Sequence, residues 1–192
     1  MKKRNIVINE KLCSIYSSDM PEYVIIQPTG THENEKLDEE IALIRQNADK
    51  KFCFISYPIE DWNRDLSPWK ARQAFGEEYF GDGAERTLHD ILDNLIPELQ
   101  RQINLSENAN YILGGYSLAG LFSLWAAYQT DMFDTVTACS PSVWIEGWQA
   151  YAEQRTPLAQ HIYLSLGTKE HKTRNSMLQT VKQAVTCQYE LL

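Results

Sequence analysis

One serine stands among small residues in a pattern that could do chemistry: Gly114-Gly115-Tyr116-Ser117-Leu118-Ala119-Gly120. Residues 109–114 before it read as a strand. Residues 118–129 after it are apolar nearly all round, the pattern of a buried helix. In that setting, G-x-S-x-small is a nucleophile elbow, a strand-to-helix turn that exposes the serine hydroxyl. The turn is so sharp that the residues two before and two after the serine must be small; here they are Gly115 and Ala119. Ser117 then opens a helix, so the Leu118 N–H and the helix dipole can stabilise a developing oxyanion. The chemistry expected is attack of the Ser117 hydroxyl on a carbonyl carbon. That attack needs a base to take the proton and an acid to orient the base.

The elements that must position these residues alternate along the chain, as in an α/β sheet of mainly parallel strands. Residues 12–17, 22–27 and 51–57 read as strands, and residues 36–47 place Leu37, Ile41 and Ile44 on one helical face. A long irregular stretch, 58–84, is rich in aromatics, Pro, Asp and Gly; loops of this length in a compact domain are usually functional. Residues 85–103 carry an apolar stripe from Leu88 to Ile103 and should form a helix kinked at Pro97. Short strands are expected at 134–139 and 160–166, and an amphipathic helix at 174–190, close to the end at Leu192.

With these features in place, the sequence resembles the esterase branch of the α/β-hydrolases, which includes enterochelin-esterase-like and feruloyl-esterase-like enzymes. The resemblance rests on the elbow, on Ser140-Pro141-Ser142-Val143-Trp144, on the run 61–69 (Asp61-Trp62-Asn63-Arg64-Asp65-Leu66-Ser67-Pro68-Trp69) and on Leu166-Gly167-Thr168-Lys169-Glu170. It implies a Ser-His-acid triad, carboxylic ester substrates and no cofactor. In such esterases the acid sits in a Gly-x-x-acid turn after a late strand, the place Glu170 occupies; Glu146 is a second candidate. The histidine of similar enzymes follows one further strand, and this chain has no residue there. His32 is expected in a polar loop, His89 on a helix and His161 at the start of a strand. Only His171 follows the acid, and adjacent turn residues usually point apart. The chain is therefore expected to lack a final strand, a final helix and the catalytic base. The second oxyanion donor should come from the loop after the strand at 22–27, with Gln27, Thr29 or Gly30 as candidates because Pro28 has no N–H. Trp62, Trp69 and Trp144 are expected to wall the substrate pocket. Asp61 and Asp65 read as turn chemistry rather than as catalytic groups.

Composition bounds the remaining possibilities. A chain of 192 residues with 43% hydrophobic residues fits a single domain spanning 1–192. The net charge of −8 speaks against a nucleic-acid partner, since the only basic cluster is Lys2-Lys3-Arg4, which reads as solvated. Four scattered cysteines without C-x-x-C spacing read as reduced thiols rather than a metal site. No run reaches the ~18 apolar residues of a membrane span, and no signal peptide is evident, so the expected address is cytoplasmic. The expectation is thus an α/β-hydrolase fold with helices on both faces of a mainly parallel sheet, hydrolysing a small-molecule ester. An acyltransferase of the same fold and a non-catalytic, ligand-binding relative are the alternatives. An unpaired edge left by the absent strand would favour a homo-oligomer.

Overall fold

In the computed structural model, all residues are described except Phe75 and Glu77, with 31–35 described by backbone alone. Seven strands form one sheet: β1 (Lys2–Ile8), β2 (Lys11–Ser17), β3 (Tyr23–Thr29), β4 (Phe52–Pro58), β5 (Asn110–Tyr116), β6 (Thr135–Cys139) and β7 (His161–Ser165). Their spatial order is β1-β2-β4-β3-β5-β6-β7. The first two pairings, β1 with β2 and β2 with β4, are antiparallel, and every later one is parallel. This is the expected mainly parallel α/β architecture.

Side-chain alternation shows how the sheet is covered. In β4, Phe52 and Phe54 pack with Leu37 and Ile41 of helix α1 (Thr31–Asn47). The intervening Cys53, Ile55 and Tyr57 join the main core on the opposite face. That core includes α3 (Ala84–Asp90), α4 (Ile96–Gln102) and α5 (Leu118–Ala126). A strand buried on both faces can be apolar nearly throughout, as β4 is apart from Ser56.

The strand β1 was not expected, because Lys2-Lys3-Arg4 obscured it. Ile6 and Ile8 alternate inward while Val7 is exposed. A two-residue turn, Asn9-Glu10, joins β1 to β2, and both turn residues have positive φ (45° and 66°). That is the backbone twist that suits a tight hairpin. The basic cluster is not simply solvated: Lys3 pairs with Asp38 at 2.8 Å, and Arg4 donates to the Gln102 carbonyl at 3.1 Å.

At Pro97, where a kink was expected, the helix is irregular but unbroken. Between α3 and α4 the chain makes a π-type turn, Ile91–Leu95, in which the Ile96 N–H reaches the Ile91 carbonyl. The widened turn sits directly before the residue that cannot donate, so the helix continues instead of breaking.

Two further differences concern the site. The strand β3 extends through Pro28 to Thr29, and β5 runs on to Tyr116, so that the nucleophile immediately follows the strand. The expected C-terminal helix is two pieces, α7 (Ser176–Gln179) and α8 (Val181–Leu191). All four cysteines are free, and burial pushes the Cys13 and Cys53 thiols up to about 12 and about 11. Among the described residues, no helix is long and apolar enough to cross a membrane.

Candidate active site

Ser117 lies between β5 and α5 with φ 57° and ψ −115°, a conformation that costs a non-glycine residue strain energy. The strain is held from three sides. The Ser117 N–H donates to the Cys139 carbonyl at 3.0 Å, and the Ser117 carbonyl accepts from Leu121 N (3.0 Å) and Ser142 N (3.1 Å). The demand for small neighbours is met: a Cβ on Gly115 would lie 2.5 Å from the Ala119 Cβ. Gly120 is tight but less so, since a Cβ there would approach the Gly115 and Cys139 carbonyls at 3.0 and 3.2 Å.

The serine lines a cavity of about 400 Å³. Leu118 lines it too and heads α5, where a first-turn N–H has no intrahelical acceptor. Glu170 lies in the same cavity, brought there by the turn after β7. Its Oε1 accepts from the Ser140 hydroxyl at 2.6 Å and from the Gly167 N–H at 2.9 Å. Gly167 is needed beneath it, because a Cβ there would lie 2.5 Å from Oε1. Burial, and then the charge of Glu170, raise the Tyr116 phenol above its usual pKa.

Of the three tryptophans expected to wall the pocket, the structure places two there. Trp62 and Trp144 line the cavity; Trp69 does not. Trp69 stacks on Trp148 at 6.2 Å, and its indole N–H donates to the Glu146 carbonyl at 2.8 Å. It is a packing residue of an aromatic cluster, a role that residue type and spacing alone do not distinguish from a pocket wall. Gln27, expected as an oxyanion donor, is likewise not among the residues that line the cavity. It sits inside β3 opposite Ser56, and its side chain reaches Glu40 at 3.3 Å. Thr29 and Gly30 do not line it either. Glu146 is exposed and outside the cavity, which leaves Glu170 as the acid positioned near Ser117.

No described histidine lines the cavity. His89 is on α3 beside Asp93, and His161 opens β7. His171 lines a different cavity with Lys182 and Tyr189, and its buried Nδ1 has no hydrogen-bond partner among the described residues. As expected for neighbours on a turn, Glu170 and His171 point into different cavities. The side chain of His32 lies outside the described residues.

Sequence reasoning missed several contributors. Ser142 falls in the run 140–144 already singled out, but the contact it makes was not foreseen: buried on the loop after β6, it places its hydroxyl 3.4 Å from that of Ser117. Phe80 and Gln73 come from the long loop, and Leu178 and Val181 from α7 and α8. For Phe80 and Gln73 the only sequence signal was the loop's length, whereas Leu178 and Val181 stand on the apolar side of the amphipathic segment expected at 174–190. Asp61 and Asp65 prove structural, as expected: Asp61 caps helix α2 (Trp62–Asp65), and the buried Asp65 pairs with Arg64 and Arg86, each at 2.8 Å.

A strained serine at a strand-to-helix elbow, in a mainly parallel sheet and beside a carboxylate held in a turn, defines an α/β-hydrolase. The chain belongs to the esterase family described as "Putative esterase", which matches residues 15–191. No curated protein matches it. Among solved structures it is similar to the siderophore hydrolase EstA of Aspergillus nidulans, with 17% identity over 98% of this chain and 78% of that one and a TM-score of 0.67. It is also similar to the BES protein of Bacillus cereus (17%, 95% and 80%, TM-score 0.62). A third is the enterobactin esterase FES of Shigella flexneri (14%, 98% and 51%, TM-score 0.69). The chain thus spans about half the length of FES.

Proposed function

We propose that this protein is a serine esterase in which Ser117 forms the acyl-enzyme and Glu170 orients the base. The observation that carries the reading is the strained Ser117 in one cavity with the carboxylate of Glu170. Ser117 Oγ would attack the ester carbonyl while its proton passes to an imidazole. The Leu118 N–H would hold the oxyanion, the alcohol would leave with the proton, and water would then release the acid. With Glu170 Oε1 occupied by Ser140 and Gly167, Oε2 is left to receive the imidazole N–H; no described donor reaches it. The described residues do not supply that imidazole, so activity in residues 1–192 should be low, because loss of a triad member costs roughly 10³-fold or more.

The test is hydrolysis of p-nitrophenyl acetate and butyrate beside a Ser117→Ala control. Turnover that disappears in the control supports the reading; equal turnover in both proteins refutes it. A second reading, a non-catalytic ligand-binding domain, is favoured by the absence of a described histidine from the cavity, and tight ester binding with no turnover even when free imidazole is added would support it. Product analysis with an added alcohol distinguishes acyl transfer from hydrolysis.

A further inference from the structure

We infer that the cavity over Ser117 selects an uncharged ester bearing a flat apolar group and discriminates against esters that carry a carboxylate. This rests on Ser117 being the nucleophile of that cavity.

The walls supply the first half of the argument. Trp62, Phe80, Tyr116 and Trp144 contribute aromatic surface from three separate segments. The Phe80 and Trp144 rings lie 6.2 Å apart, inclined at 52°, and Tyr116 is 60% exposed. A space of about 400 Å³ with such walls suits one ring or a short acyl chain.

Charge supplies the second half. None of the described lining residues is Lys, Arg or His, and the only carboxylate among them is Glu170. A substrate anion would therefore meet a negative charge with no cation among the described lining residues to offset it. The two amides on the wall are engaged with their neighbours: Asn63 donates to Gln73 Oε1 at 3.4 Å, and Gln73 donates to the Tyr79 carbonyl at 3.1 Å. Arg72, Lys169 and Lys182 adjoin lining residues in the chain but do not themselves line the cavity, and other cations nearby in the chain are paired elsewhere. Arg64 is held by Asp65 and Asp61, Arg86 by Asp65, and Lys70 lies 3.9 Å from Asp82. An anion several Å from Glu170 in a half-desolvated cavity should lose about 10-fold or more in affinity.

The experiment uses Ser117→Ala protein, which leaves esters intact. Ethyl benzoate and monoethyl terephthalate present the same aryl ester without and with a para carboxylate. Each is titrated at pH 7 while the indole N–H resonances of Trp62 and Trp144 are followed by NMR, assigned through Trp→Phe variants. Ethyl benzoate should shift both resonances and bind at least about 10-fold more tightly than the anion. Adding Gln73→Lys should shrink that gap to less than about 3-fold. Equal or tighter binding of the anion, indole resonances unmoved by either ester, or a gap unchanged by Gln73→Lys would each overturn the inference. Because binding is read without turnover, its failure is separable from failure of the nucleophile assignment, which the p-nitrophenyl assay tests.

Discussion

The Ser140 hydroxyl donates to Glu170 Oε1 at 2.6 Å, so a residue that follows β6 holds the carboxylate carried by the turn after β7. Ser140 is itself constrained, with φ at 45° and its N–H donating to the Ser165 carbonyl at 2.7 Å. Two adjacent strands thus fix the acid's orientation.

With the imidazole supplied from outside the described residues, Ser140→Ala should lower kcat for p-nitrophenyl butyrate by about 5- to 50-fold with KM within about 2-fold, because a carboxylate free to rotate orients its base less well. Ser140→Asn, which tolerates positive φ and keeps a hydrogen-bond donor, should recover part of the loss. A parallel fall in kcat with both variants would argue for a purely structural role.

Gly115→Ala should damage the elbow itself. The new methyl would lie 2.5 Å from the Ala119 Cβ and 2.7 Å from its backbone carbon, with no flexible neighbour to yield. Overpacking of this kind costs roughly 1–3 kcal/mol. The expected result is a melting temperature several degrees lower, and an unchanged melting curve would count against the geometry.

Asp90 should make stability depend on pH. Burial acts to raise its pKa, but hydrogen bonds from Tyr57, Lys11 and Asn9 outweigh burial and hold it below the usual carboxylate value. A depressed folded-state pKa gives stability that is present above the unfolded value of about 3.9 and is lost as pH falls through the folded value. Urea unfolding between pH 7 and pH 3 should therefore show a decline below about pH 4 that is shallower in Asp90→Asn. At pH 7 that variant should be about 1–3 kcal/mol less stable, since Lys11 and the buried Tyr57 lose a charged acceptor.

Gln188 ties α8 to the body of the protein. It is 1% exposed; its Oε1 accepts from the Trp148 indole at 2.7 Å, and its Nε2 donates to the Tyr128 hydroxyl at 3.1 Å. Gln188→Ala leaves two buried polar groups without this partner and should cost about 2–4 kcal/mol, measured by denaturant unfolding. Gln183→Ala, on the outer side of α8, is the control and should cost less than about 0.5 kcal/mol.

What the sequence alone determined about this protein is what local physics dictates. A serine between Gly115 and Ala119 can make a very sharp turn, apolar stripes at helical spacing mark helices, and short β-rich runs mark the parallel strands. The place of Glu170 could be named through the family resemblance. The tertiary structure alone decided which side chains share a cavity. Trp62, Trp69 and Trp144 are the same residue type in similar settings, yet Trp69 turns to Trp148 while the other two face Ser117. The direction of a loop side chain depends on contacts with residues far away in sequence. The strand β1 was hidden for a related reason: Lys2, Lys3 and Arg4 are tolerable in a strand only because it lies at a sheet edge, where charge can reach solvent. Ser140 and Glu170 are 30 residues apart, and only the parallel pairing of β6 with β7 brings the loops that follow them together.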